Sequence, residues 1–536
     1  MNSTSIIKLF PLLIVLSIPV FGIENSAEEK ELPIGFTPEE WERRHEIRSF
    51  GRETDPPPHP VRNVAEYEKM QGVLIRYSFG LPTSVIVDFS QHVIVYCLVS
   101  NSQQGSAFNS LNNAGADMDN VEFILGNTNS YWTRDYGPWW VVTDSDSDSD
   151  RELAVMDFTY NRPRPYDNQA PQKMSDHLNT PLYSMILVHA GGNYMTDSYG
   201  ISSSTSLVYD ENADPGLQDD PLTSEEVDAV FWDYLNIDTY HVVDDPNNEY
   251  IQHIDCWGKY LSPSKVLIRE VPSSHAQYDE IEEVVDYFEN QDDKWGNPYE
   301  IYRVYTPNNQ PYTNSLILNE KVYVPTMNSS WDDDALAAYQ DAMPDYEILG
   351  YYYSSWMSTD ALHCRAKGIP DLNMIEILLN SIETSPSGYT VNVSIDALSG
   401  ADLTANELLL HWKTPSMTSF NTELLSPSGN EGEYSVTIPQ QSNTSEIQYY
   451  VSGSDAGGNE NRMPLAGYYT FEATEMLMGD VDQNGMVDIT DIILTVNFML
   501  GTGNLTEVQQ QIADMNHDGT IDIFDVVHIV FIMLGN

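Results

Sequence analysis

Residues 266–288 read VLIREVPSSHAQYDEIEEVVDYF, and this stretch decides the fold class. Val266 to Ile268 is a short apolar run of strand type, and Pro272-Ser-Ser breaks it. Ile281, Val284, Val285 and Phe288 then fall at i, i+3, i+4 and i+7, one face of an amphipathic helix. The same alternation extends in both directions. Val93 to Val99, Val121 to Leu125, Met185 to Val188, Ser315 to Leu318 and Val322 to Val324 read as strands. Val227, Val230, Phe231 and Tyr234 form a second apolar stripe behind a Thr223…Glu226 capping box. Short strands alternating with helices over residues 60–373 predict an α/β domain.

The chain has 536 residues, with 24 Lys or Arg against 81 Asp or Glu, a net charge of 24 − 81 = −57. Such a polyanion repels phosphate backbones and anionic membranes, so nucleic-acid function is excluded, and its field favours cationic substrates. At 41% apolar residues it still has ample core for about three domains. Lys8 and the 13-residue apolar run Leu9 to Phe21 predict a secretory signal over residues 1–22, too short to span a bilayer. Residues 23–59 form an N-terminal extension, and no other apolar stretch is long enough to cross a membrane. A secreted protein, surface-associated at most, is expected. The alternating run Asp144 to Asp150 reads as a solvated hairpin tip.

Three cysteines occur, so at least one is unpaired. Cys97 lies in an apolar strand and reads as a structural thiol. Cys364 sits in His363-Cys-Arg365-Ala-Lys367, where two cations create an environment that lowers a thiol pKa, which makes it the nucleophile candidate. Loops crowded with Trp, Asp, His, Gly and Asn supply possible partners: Trp132-Thr-Arg-Asp135, Gly191-Gly-Asn193, His253-Ile-Asp255 and Thr313-Asn314. Asp135 and Asp255 can each accept a forked pair of hydrogen bonds from a guanidinium. His253 points to the same side as Asp255 if that segment is extended, and can serve as acid and base. A Cys-His-Asp protease uses the same residue types, and spacing does not separate the two.

Over residues 374–474 helical periodicity gives way to alternating strands at Tyr389 to Ile395, Leu408 to Trp412, Tyr434 to Ile438 and Ile447 to Ser452, a β-sandwich of immunoglobulin-like type without a disulfide. Residues 476–536 carry a duplicated motif with a period of 34 residues. Asp480, Asp482, Asn484, Met486, Asp488 and Asp491 match Asp514, Asn516, Asp518, Thr520, Asp522 and Asp525. Oxygen ligands at positions 1, 3, 5, 7, 9 and 12, with Gly485 and Gly519 at 6, make two calcium loops of EF-hand type.

The five blocks Trp132-Thr-Arg-Asp135-Tyr-Gly-Pro, Gly191-Gly-Asn193, His253-Ile-Asp255, Thr313-Asn314 and Leu362-His-Cys364-Arg together resemble the peptidylarginine and agmatine deiminase branch of the guanidino-group modifying enzymes. That resemblance implies a fivefold pseudo-symmetric α/β propeller of ββαβ units. It also implies catalysis by Cys364, His253, Asp255, Asp135 and Asn314, and substrate contacts from Trp132, Gly192, Ile254 and Thr359, with no catalytic cofactor. Cys364 would attack the guanidinium carbon and His253 would handle the protons of ammonia and water.

Asn161-Arg-Pro-Arg-Pro165 resembles the segment with which the secreted peptidylarginine deiminases read a C-terminal carboxylate, so Arg162 and Arg164 are expected to clamp a peptide ending in arginine. Agmatine or free arginine is the alternative substrate. A non-catalytic extracellular component that only recognises cationic groups is the alternative function. The C-terminal repeat resembles a type I dockerin, which implies two Ca²⁺ and a cohesin-bearing scaffold as partner. Its Ile489-Thr490 and Ile523-Phe524 are more apolar than the usual recognition pairs.

Overall fold

The computed structural model describes residues 32–145, 151–385, 387–441, 446–473 and 477–534. The signal-peptide reading of residues 1–22 and most of the 144–150 run lie outside the described residues.

Between residues 60 and 373 the alternation resolves into five separate sheets, each built on one scheme. A first strand pairs antiparallel with a second, and a helical crossover returns a third strand parallel to the second. Gly258–Ser262, Lys265–Glu270, the helix Tyr278–Glu289 and Glu300–Tyr305 form one such unit. Leu316–Leu318, Lys321–Thr326, the helix Asp332–Ala342 and Glu347–Tyr352 form another. Trp139–Asp144, Arg151–Tyr160 and Leu182–His189 build a third, and Met195–Thr196, Ile201–Thr205 and Thr239–Val243 a fourth. The fifth joins the two ends of the region. Lys367–Pro370 pairs antiparallel with Met70–Arg76, which runs parallel to Ile94–Val99.

The helices do what their sequences dictate. Ile281, Val284, Val285 and Phe288 are all buried on one stripe of their helix. Thr223 and Glu226 form a reciprocal capping box at Ser224–Leu235, and Asn236 ends that helix in the left-handed conformation.

The described residues between 375 and 472 form two antiparallel sheets. One contains Ile375–Ser385, Gly388–Ala397, Glu433–Pro439 and Ser426–Pro427; the other contains Asn421–Leu424, Leu409–Lys413, Glu446–Ser454, Glu460–Met463 and Tyr469–Glu472. Strict alternation along Gly388–Ala397 buries Tyr389, Val391, Val393 and Ile395. They share one core with Val266, Ile281 and Tyr339 of the α/β region. Arg62 reaches across to Glu376, which also pairs with Arg151.

At the C-terminus, Ile489–Met499 and Ile523–Met533 are helices offset by the 34-residue period, each with an Asp N-cap and an Asp at N3. Among the described residues no helix is long and apolar enough to cross a membrane.

Candidate functional site

The five motif blocks occupy equivalent places. Each lies in the connection between one unit and the next, just before the unit's first strand: the short helix Thr133–Tyr136, the turns Gly191–Asn193, Ile254–Cys256 and His363–Arg365, and the Thr313-Asn314 loop. Repeated geometry therefore carries residues more than 200 positions apart to one point, where these turns pack on one another. Cys364, His253, Asp135 and Asp255 are 0, 1, 1 and 4 % exposed.

Gly192 marks the centre. A Cβ there would lie 2.7 Å from Asp135 Oδ1, 2.8 Å from His253 Nδ1 and 3.2 Å from Asp255 Oδ2. Two carboxylates and an imidazole thus converge on a space that only glycine leaves open. His253 Nδ1 and Nε2 and Asp135 Oδ1 make no hydrogen bond, although all three atoms are buried. Nδ1 and Oδ1 lie 3.5 Å apart. Native interiors rarely leave three such atoms unsatisfied, and a planar cation with several N–H donors supplies what they lack. His253 and Asp255 converge through a 3-10 turn over Ile254–Cys256 rather than through the extended segment expected from sequence.

Cys364 Sγ accepts from Asn314 Nδ2 at 3.2 Å and lies 3.7 Å from Asp255 Oδ2. Asn314 Oδ1 in turn receives the backbone N–H groups of His363 and Cys364. Burial, with the charges of Asp255 and Asp135 adding, pushes the Cys364 thiol up to about 11, while a hydrogen bond from Cys256 works the other way. This corrects the expectation that Arg365 and Lys367 lower it. Arg365 is committed bidentately to Asp360, at 2.7 and 2.6 Å, and Lys367 is half-buried, its own pKa driven far down by desolvation and by Arg134. All three cysteines are free.

The two carboxyls are pushed apart. Burial and then the Asp255 charge hold Asp135 well above the usual carboxyl range. Asp255 is equally buried, but the hydrogen bond and charge of His363 bring it below that range. His253 is neutral, lowered to about 4 by burial.

Two residues missed in the sequence complete the arrangement. His363 Nδ1 sits 2.7 Å from Asp255 Oδ2 and its Nε2 sits 2.6 Å from Glu66 Oε2. Glu66 also accepts from Lys259 Nζ, Arg134 Nη2 and the Ile317 N–H. His363 adjoins Cys364 in its motif, which was a usable signal; Glu66 had none.

Trp132 and Ile254 are buried beside this centre, and Thr359 is buried near Tyr250. Arg162 and Arg164, expected to clamp a substrate carboxylate, are buried too, and their hydrogen bonds go to the chain's own groups. Arg164 forks onto Glu40 at 2.8 and 3.0 Å and donates to the carbonyls of Pro33 and Gly35. Arg162 donates to the Ile34 carbonyl and stacks over Phe36. Burial opposes ionising Glu40, yet Arg164 holds its carboxyl below the ordinary range.

In the C-terminal repeat, ligand oxygens of Asp480, Asp482 and Asp491 lie within 4.8 Å of one another. Gly485 and Gly519, at φ +86° and +80°, make the sharp turns. The second loop repeats the hydrogen bonds of the first, with Asp514 accepting from Asp518 and Gly519 as Asp480 does from Asn484 and Gly485. One oxygen of Asp488 and one of Asp522 cap the following helices, so these two act first as N-caps. These donor sets are hard oxygens of the kind Ca²⁺ takes.

The family model for Porphyromonas-type peptidyl-arginine deiminase matches residues 80–370, more than half of the chain. The chain belongs to this family. A second family model, the dockerin type I domain, matches residues 478–529 of this deiminase-family chain. An agmatine deiminase of Medicago truncatula is 23% identical over 332 residues, covering 53% of this chain and 85% of that protein. One from Pseudomonas syringae pv. tomato is 23% identical over 278 residues, covering 44% and 73%. Among solved structures, the agmatine deiminase of Enterococcus faecalis aligns with a TM-score of 0.52 at 20% identity, over 60% of this chain and 99% of that one. At that identity it shows the α/β fold of the deiminases. Family members are hydrolases of amidine C–N bonds.

Proposed function

We propose that this protein is an exported peptidylarginine deiminase that converts a C-terminal peptidyl arginine to citrulline and ammonia through a covalent adduct on Cys364. The observation that carries the reading is the convergence at Gly192 of Asp135, Asp255 and His253, with unsatisfied buried polar atoms, beside the Cys364 thiol.

The chemistry follows from charge. An entering guanidinium places a cation between Asp135 and Asp255, which displaces the Asp135 proton and offsets the carboxylate field that keeps Cys364 protonated. Cys364 passes its proton to neutral His253 as Sγ bonds to the guanidinium carbon. His253 returns the proton to one terminal nitrogen, the C–N bond breaks and ammonia leaves. A thiouronium remains. Water then attacks the same carbon and His253 accepts its proton; the Sγ–C bond breaks as the carbonyl of the ureido product forms, His253 returns its proton to Sγ to restore the thiol, and the hydroxyl proton leaves to solvent, where ammonia takes it up as ammonium. Asn314 donates to Sγ in the resting site and orients the turn. Trp132, Ile254 and Thr359 bound the substrate space.

Peptide specificity rests on Arg164, which already holds a carboxylate bidentately in Glu40. Agmatine has no carboxylate with which to take the place of Glu40 on that arginine. The names of the relatives keep agmatine as the second reading. Around the site, the five sheets are read as a fivefold propeller of ββαβ units over residues 60–373, followed by an immunoglobulin-like sandwich over 374–474. Residues 1–22 would direct export. The 476–536 segment would bind two Ca²⁺ and dock onto a cohesin-bearing scaffold outside the cell.

Citrulline and ammonia release from a peptide ending in arginine, from its amide and from agmatine tests the assignment. The free peptide is expected to be turned over fastest. Faster turnover of agmatine would move the assignment to the second reading.

A further inference from the structure

Residues 32–43 contribute more to the candidate site than an N-terminal extension should. Leu32-Pro-Ile-Gly-Phe36 is an uncharged run in a strongly acidic chain, and the short helix Pro38–Glu42 follows it. Ile34 is buried in one apolar cluster with Trp132, Ile251, Cys256 and Cys364, and Leu32 packs against that cluster. Gly35 lies so close to the Tyr250 ring that a Cβ would come within 2.6 Å of it. The carbonyls of Pro33, Ile34 and Gly35 and the carboxylate of Glu40 take up the N–H groups of Arg162 and Arg164. Peptide carbonyls and a carboxylate, held by two arginines beside the cluster that contains the nucleophile, are what a bound peptide would offer.

We propose that residues 33–40 are an internal ligand of the substrate cleft, an autoinhibitory segment in which Glu40 holds Arg164 as a peptide's terminal carboxylate would. The inference rests on the deiminase reading of the site. Substrate must displace the segment, so its apparent affinity is reduced by the fraction of molecules in which the cleft is open. A peptide carboxylate replaces Glu40 on Arg164 as it enters, whereas a cation without one leaves the arginine unpaired. The segment thus makes a carboxylate a condition of entry and selects against agmatine. Its removal or displacement activates the enzyme.

Two full-length variants test this. Glu40→Gln removes the charge but keeps a residue that can still close the helix cap. Ile34→Asp expels the apolar anchor and leaves Glu40 intact. Each is compared with the unaltered chain in two readouts: alkylation of Cys364 by chloroacetamidine, a planar amidinium with an alkylating carbon, followed by mass spectrometry; and citrulline release from a C-terminal arginine peptide. The expected result is that both variants raise labelling and turnover about tenfold, a modest shift of a two-state equilibrium. Unchanged labelling in two folded variants overturns the proposal, even where turnover is present. Faster labelling without turnover on any substrate upholds the occluding segment and sinks the deiminase reading instead. Thermal melting identifies a variant that fails to fold, in which case the other decides.

Discussion

Asp135 is buried beside a second carboxyl, with an oxygen that bonds to nothing. Its folded-state pKa is raised, so the stability it contributes is present below the ordinary carboxyl pKa and is lost as pH rises through the higher folded value. Asp135→Asn is therefore expected to raise the melting temperature of the free protein at neutral and higher pH, by roughly a few degrees, with the two curves converging in acid. Turnover should fall about 100-fold or more, as when a preorganised charge is removed. Asp255 has the opposite sign: its pKa is depressed, so its contribution holds above the ordinary carboxyl pKa and is lost as pH falls through the folded value. His363 fixes its orientation. With His363→Ala, kcat/KM should drop about 100-fold through misplacement of a clamp oxygen, part of it in KM; a change in stability alone would reduce His363 to a packing role.

At the scale of elements, the turns that precede each unit's first strand are where sequence and geometry meet. Gly192→Ala is expected to fold and to lose activity, because the added methyl occupies the guanidinium space; a binding assay with a guanidinium inhibitor in the folded variant checks it. Thr223→Ala should cost about 1 kcal/mol through its capping box, with no effect on the site. The helices and the five motif blocks were legible because each follows from local rules: a 3.6-residue stripe, a capping box, a crowded loop after a strand. Glu66 was not legible. It lies in the Val64-Ala-Glu-Tyr67 linker without periodicity, and its importance comes from Arg134, Lys259, Ile317 and His363, brought together from four distant places. The pairing of Arg164 with Glu40 was hidden for the same reason: 124 residues separate them.

For the molecule as a whole, a net charge of −57 divides into distinct roles. Asp135 and Asp255 converge at the candidate site, and others line the two acidic loops of the dockerin-type repeat. Chelation by EDTA is expected to unfold the 477–534 segment, followed by proteolysis or circular dichroism, and to leave citrulline formation intact. Loss of activity in step with that unfolding would mean the two regions are coupled. The five-unit design explains how a Cys near residue 364 and an Asp near 135 become neighbours: each unit ends where the next begins, and the last strand pairs with the first unit. The most direct test of the account is a mass measurement on the intact chain, quenched during turnover of a peptide ending in arginine. It should show citrulline product and an adduct on Cys364 that retains the substrate less one ammonia, both absent from Cys364→Ala. Citrulline formation that persists in Cys364→Ala would contradict it.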